Sequence, residues 1–158
     1  MEVFIRKAQI CDIPDLINMN EIVNANTGCT IETMTSALEN NKNEIVFVAI
    51  YSNTAVGFIC GQLLPSICYA NGMQCEVTEL FVRESYRRKG IAGMLITALE
   101  KEFESHNAQE ILLQASGRNM VAQRFYEKAG YYDTKRIVYR KKEPIRHGIR
   151  SKTQWHNH

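Results

Sequence analysis

Apolar and polar residues alternate through VFIRKA (3–8), which predicts a strand. The pattern then lengthens. Leu16, Met19 and Val23 recur at helical spacing behind Asp12, Pro14 and Asp15, so a helix is expected with Asp12 as N-cap and Asp15 completing a variant capping box. NANTG (24–28) breaks this stripe, and a second helix is expected over 31–40. EIVFVAIY (44–51) is β-branched and apolar, the pattern of a buried strand. SNTAVG (52–57) turns it into VGFICGQLL (56–64), an antiparallel hairpin. After a loop at 65–73, CEVTELFVR (75–83) predicts the next strand. Ile91, Leu95, Leu99 and Phe103 then repeat every four residues, with Met94 and Ala98 beside them, as an amphipathic helix running to about Asn107. EILLQAS (110–116) reads as a strand. RNMVAQRFYEKAG (118–130) reads as a helix with Asn119 as N-cap and Gly130 as C-cap, and RIVYRKK (136–142) as a final strand. The order β-α-α-β-β-β-α-β-α-β predicts an α/β (α+β) fold, a mixed sheet with helices on its faces, in one domain over 1–142. A basic, aperiodic tail containing Trp155 occupies 143–158.

Composition narrows the function. The chain of 158 residues is long enough for one real core, and its net charge of +2 does not announce a nucleic-acid binder. Charge is unevenly spread: residues 1–50 set Arg6, Lys7 and Lys42 against seven carboxylates, an acidic front suited to a cationic substrate or simply to a solvated surface. The five cysteines form no CxxC pair, and no signal peptide is recognised, which together point to a reducing cytoplasm. The four histidines show no metal-ligand spacing, so no metal is expected, and no apolar run is long enough for a membrane span.

The candidate chemistry lies in YRRKGIAGML (86–95). A strand ending near Arg83 leads through a short turn into a helix beginning near Gly90. The first N–H groups of a helix lack internal partners and carry the positive end of its dipole. Gly90, Ala92 and Gly93 keep that mouth uncrowded, and Arg87, Arg88 and Lys89 surround it with positive charge, a combination suited to pyrophosphate. A basic surface turn capping a helix would use the same residue types. Neither GxxxxGK[ST] nor GxGxxG is present.

Arg87-Arg88-Lys89-Gly90-Ile91-Ala92 resembles the [Q/R]-x-x-G-x-[G/A] signature of the GNAT superfamily of N-acetyltransferases, and it follows ELFV (79–82) as it does in that family. NMVAQRFYEKAGYY (119–132) resembles a second family segment, N-x-x-A-x-x-F-Y-x-x-x-G-[FY]. The element order is similar over roughly 2–142. Glu84 stands where many members carry proline, and the last sixteen residues match no family pattern.

The resemblance implies a mostly antiparallel sheet whose central strands splay, with acetyl-CoA bound in the gap. Phe81 and Val82 would pair with the pantetheine arm through their backbone, residues 87–93 would hold the pyrophosphate, and Asn119 would bond the arm as well as cap its helix. One N–H near Phe81 and Val82 would bind the thioester oxygen. The acceptor would be a primary amine of a small molecule or peptide, attacking directly. Such an amine, with pKa about 10.4, is neutral in only about one molecule in a thousand at pH 7, so it must lose a proton. Glu79 and Glu76 are the candidate bases. Strand alternation would put them on opposite faces unless a bulge intervenes. Glu79, immediately before LFV, holds a position where many members carry an acid, and is preferred. Glu76 lies eleven residues before the signature, as in the histone-modifying branch. Tyr126 falls at the family's position for the acid that protonates the departing thiolate, and Glu21, Glu32 and the 65–73 loop would grip the acceptor. A covalent route through Cys75 or Cys29 is disfavoured, because no histidine lies near either in sequence. Two other readings stay open: an acetyl-CoA sensor without turnover, and a nucleic-acid binder using 87–89 and the basic tail. No nucleic-acid or membrane partner is expected from the motifs. Dimers are common in the family, so a homodimer through an exposed 136–142 edge strand is a further expectation.

Overall fold

Five strands form one sheet in spatial order β1-β2-β3-β4-β5, seen in a computed structural model that describes residues 2–140. The elements are β1 (Phe4–Lys7), α1 (Ile13–Val23), α2 (Ile31–Asn40), β2 (Glu44–Tyr51), β3 (Thr54–Leu64), β4 (Met73–Val82), α3 (Ile91–Ser105), β5 (Ala108–Leu113) and α4 (Met120–Lys128). β1 to β4 are antiparallel neighbours, and β5 joins β4 in parallel. Ser52 and Asn53, both at positive φ, make the two-residue turn of the β2–β3 hairpin, closed by the Tyr51–Thr54 pair.

Two apolar layers sandwich the sheet. The i, i+4 stripe of α3 is buried in full: Ile91, Leu95, Leu99 and Phe103, with Ile96, pack on Ile45, Val56, Ile59, Leu63, Cys75, Val77 and Val82. Each such side chain contributes roughly 1.5–3 kcal/mol by leaving water. Leu16 and Met19 of α1 cover the other face with Val48, Ile50, Phe58 and Phe81. α3 lies so close to β3 that a methyl group on Gly61 would stand 2.4 Å from Phe103 Cζ and 2.8 Å from a Leu99 methyl.

Three expectations are corrected. Asp12 precedes α1, but its carboxylate does not cap that helix. It is buried, accepts from Gln9 N (2.8 Å) and takes both ends of the Arg6 guanidinium (2.6 and 2.9 Å), tying β1 to the turn before α1. β5 starts and ends earlier than 110–116, leaving Gln114–Ser116 in the following loop. No strand forms over 136–140. Lys135, at positive φ, donates its backbone N–H to Asp133, making a local turn. Ile137, Val138 and Tyr139 follow, largely exposed, and an Arg136–Glu110 contact of 3.7 Å reaches back to β5. β-branched residues favour a strand only when an edge pairs with them, and this segment reaches none. The expected dimer contact through that strand loses its basis. Residues 141–142, the tail at 143–158 and Trp155 lie outside the described residues. Among the described residues, no helix is long and apolar enough to cross a membrane.

Candidate active site

β4 carries the carboxylates, and its register decides where they point. Cys60 pairs with Glu79 and Gly61 with Val77, so Thr78 is an extra residue, a bulge. Cys75 and Val77 before it, and Leu80 and Val82 after it, belong to the α3 face. Phe81 belongs to the α1 face. The extra residue shifts the alternation by one, so Glu76 and Glu79, three apart, come to the same side of the sheet. Glu79 is partly buried and accepts from Asn24 Nδ2 at 3.0 Å. Glu76 accepts from Gln114 Nε2 at 3.3 Å, just past the end of β5.

The β4–β5 ladder runs only from Met73–Ala108 to Val77–Leu113. Beyond it β4 continues to Val82 while β5 has ended, so the backbone of 78–82 has no strand beside it on that side among the described residues. This leaves a gap beside β4 where β5 has ended. Tyr126 approaches it from α4, half-buried on the α3-face core, with its ring edge-on to Phe125 and Tyr131 at 5.2 and 6.0 Å between centroids. Burial, and then the charge of Glu79, push the Tyr126 phenol up, so it keeps its proton at neutral pH. Tyr131 is raised too, by burial and by its hydrogen bond to Glu100 (2.8 Å). Asn119 caps α4 by accepting from Ala122 N at 3.1 Å.

The signature residues shape the mouth of α3. A short 3-10 turn (Glu84–Tyr86) follows β4, with the Tyr86 ring packed on Tyr51. Arg87 donates from Nε to Val82 O (2.8 Å) and lies 5.7 Å over the Phe81 ring, which locks the signature to the end of β4. Lys89 donates to Ser85 O (3.0 Å) and lies 5.5 Å over Tyr86. Arg88 is exposed and, among the described residues, makes no hydrogen bond or ion pair. Gly90 is the N-cap at φ +80°, a conformation that favours glycine. Met94 N, bonded to Gly90 O, is the first donor inside the helix, so the N–H groups of Ile91, Ala92 and Gly93 point out of it. A methyl group on Gly90 or Gly93 would meet no atom within 4 Å. The mouth is open, basic and lined with free donors, and these residues fit a diphosphate.

The model of the acetyltransferase (GNAT) family matches residues 16–131, about three quarters of the chain. The chain belongs to the GNAT family of acetyltransferases. It is an N-acetyltransferase whose acyl donor is an acyl-CoA. Among curated relatives, it is 25% identical over 100 residues to the aminoglycoside N(6')-acetyltransferase type 1 of Salmonella typhimurium, covering 61% of this chain and 68% of that protein. It is 35% identical over 99 residues to an N-alpha-acetyltransferase of Saccharolobus solfataricus, covering 56% of this chain and 57% of that one. The crystal structure of an aminoglycoside acetyltransferase from an uncultured soil metagenomic sample, in complex with sisomicin, shares the fold with a TM-score of 0.77 at 22% identity, over 90% of this chain and 96% of that one.

The acetyltransferase does not bring all its expected site residues together. Glu21 is exposed near the end of α1, and Glu32 is exposed in the first turn of α2, where its own backbone N–H and the Thr30 side chain hold its carboxyl below the usual range. Among the described residues neither bonds to Glu79, Glu76 or Tyr126. The residue that does reach Glu79 from this region is Asn24, which the sequence reading passed over as part of a helix-breaking stretch. Cys75 is sealed in the α3 core, where burial pushes its thiol up and makes it a poor nucleophile. Cys60, beside Glu79 in the ladder, is raised by burial and by the charges of Glu44 and Glu79.

Proposed function

We propose that the protein moves the acetyl group of acetyl-CoA directly to a primary amine of a small molecule or peptide, with Glu79 as the base and Tyr126 as the acid. The observation that carries this reading is the gap beside β4 past the end of β5 with unlike groups at its two sides: Glu79 on the α1 face and Tyr126 on the α3 face, the Tyr126 phenol raised by burial and then by the charge of Glu79. The donor supplies the acetyl thioester. Its diphosphate fits the N–H groups of Ile91–Gly93 with Arg88, while the side of β4 left without a neighbour past the end of β5, near Phe81 and Val82, suits the pantetheine arm, the Val82 carbonyl being already taken by Arg87. Glu79 takes the proton that an alkylammonium must lose before it can attack. Tyr126, kept protonated by its surroundings, returns a proton to the departing thiolate. Asn119 retains an amide N–H beyond its capping bond. Glu76 on the same face adds negative charge for a cationic acceptor, and Glu21 and Glu32 would add to it from α1 and α2. The unpaired thiols of all five cysteines support a reducing compartment such as the cytoplasm.

The relatives' names offer two acceptor chemistries, aminoglycoside amines and protein α-amines. The test is thioester consumption from acetyl-CoA with sisomicin, neamine and a tripeptide bearing a free α-amine. A fall in turnover of about 10²–10⁴-fold in Glu79→Gln, to a rate still measurable, is expected. Tight acetyl-CoA binding with no turnover on any of the three would favour the sensor.

A further inference from the structure

Asn24 is the C-cap residue of α1, and its side-chain NH₂ is fully committed. One N–H goes to Glu79 Oε1 (3.0 Å) and the other to Asn20 Oδ1 (3.2 Å). Asn20 in turn donates to Thr27 Oγ1 (3.1 Å). Since a carboxylate only accepts, the Glu79 contact fixes which way the Asn24 amide faces. The result is a polar chain, Thr27–Asn20–Asn24–Glu79, linking the α1–α2 connection to β4 across fifty-five residues of sequence. Asn24 and Asn20 are both partly buried. The connection itself turns through Asn26 and Gly28 at positive φ, so the chain returns over the end of α1.

Around Glu79 stand the Cys60 thiol from β3 and the Tyr126 phenol from α4, both raised and so uncharged at neutral pH, and Glu76 lies on the same side of β4. None of them supplies a cation to hold the carboxylate. Among the described residues the Asn24 amide is the one side chain that donates a hydrogen bond to it. From this we infer that Asn24 is a positioning residue: it orients the Glu79 carboxylate toward the acceptor amine and couples that orientation to the 24–30 loop. Resting on the reading of Glu79 as base, this assigns the loop a role in alignment rather than only in gripping the acceptor. A neutral donor suits the task. An arginine or lysine there would form an ion pair with Glu79 and compete with the incoming ammonium, whereas an amide aims the carboxylate without neutralising it.

The experiment is a double-mutant cycle on Asn24→Ala and Glu79→Gln, measured with acetyl-CoA and the best acceptor among sisomicin, neamine and the tripeptide. Asn24→Ala is expected to lower kcat roughly tenfold or more, the scale of a hydrogen bond to a charged group, with the KM for acetyl-CoA unchanged. Asn24→Asp, which sets a second carboxylate against Glu79, is expected to lower it further. Combined with Glu79→Gln, Asn24→Ala should add no further loss, because the group it positions is already disabled. An Asn24→Ala rate equal to wild type, or a loss that simply multiplies with that of Glu79→Gln, overturns the positioning role while leaving Glu79 as base. Wild-type turnover in Glu79→Gln overturns the base assignment and this role together. A urea midpoint and acetyl-CoA affinity equal to wild type separate either result from misfolding.

Discussion

Tyr126 and Gly90 make the sharpest claims at the scale of single residues. Tyr126→Phe keeps the ring packing against Phe125 and Tyr131 and removes only the hydroxyl. Loss of a general acid costs typically about 10²–10⁴-fold, so kcat should fall by at least tenfold while calorimetry shows unchanged acetyl-CoA affinity. An unchanged kcat would leave Tyr126 a packing residue. Gly90→Glu should abolish acetyl-CoA binding in the same titration, by setting a carboxylate in the open mouth. The position sits at φ +80°, so strain of about 1–2 kcal/mol accompanies any side chain with a Cβ. Gly90→Asn, which tolerates that backbone best, is the control, and it should retain most of the affinity. Both residues were singled out in the sequence, Gly90 by the pattern of a helix mouth and Tyr126 by the resemblance of its segment to a family motif. Asn24 was not, since its partner is fifty-five residues away and an asparagine in a turn needs no other explanation.

Elements were readable where burial enforces a period. The four-residue stripe of α3 came through because it is buried against one continuous face, and the apolar run of β2 because that strand is covered on both, Ile45 and Ala49 under α3, Val48 and Ile50 under α1. The bulge at Thr78 was conceivable but not readable: nothing in CEVTELFVR marks threonine as the extra residue, and only pairing with β3 reveals it. The missing strand at 136–140 failed for the converse reason. Its composition suits a strand, and composition says nothing about whether an edge is within reach. Gly61 shows a third kind of silence, a glycine inside a strand whose reason is another element. Gly61→Ala should destabilise the fold by about 1–3 kcal/mol through overpacking against Leu99 and Phe103, read as a lower urea midpoint with unchanged slope. A neutral effect would mean that α3 can lift from the sheet without cost, and the position of the α3 mouth relative to β4 would then be soft.

Across the whole molecule, the Arg6–Asp12 pair joins the first strand to the first helix, and with it the layer that delivers Asn24 to Glu79. The pair is lopsided: the Asp12 side chain is 6% exposed and that of Arg6 is 29%. Burial alone would push the Asp12 carboxyl up, but its bonds to Arg6 and to Gln9 N outweigh that and hold it below the usual carboxylate range. The sign follows from linkage. The unfolded chain, with an Asp pKa of about 3.9, takes up the proton first as pH falls, so the stabilisation is complete above that value and is lost as pH drops through the lower folded value. Arg6→Leu removes the counterion and leaves a buried carboxylate with one backbone donor. It should cost about 3–5 kcal/mol at pH 7, the range for breaking a buried pair on one side. In that variant burial is no longer offset by the guanidinium, so Asp12 accepts a proton more readily when folded than when unfolded, and acidification relieves the penalty. The gap between Arg6→Leu and wild type, measured by urea denaturation, should therefore narrow from pH 7 to pH 4. Adding Asp12→Asn to Arg6→Leu should recover part of the loss at pH 7, since the uncompensated charge is gone. A gap that stays constant with pH would assign the Arg6 contribution to the packing of its methylene stem and remove the ion pair as the link between β1 and α1.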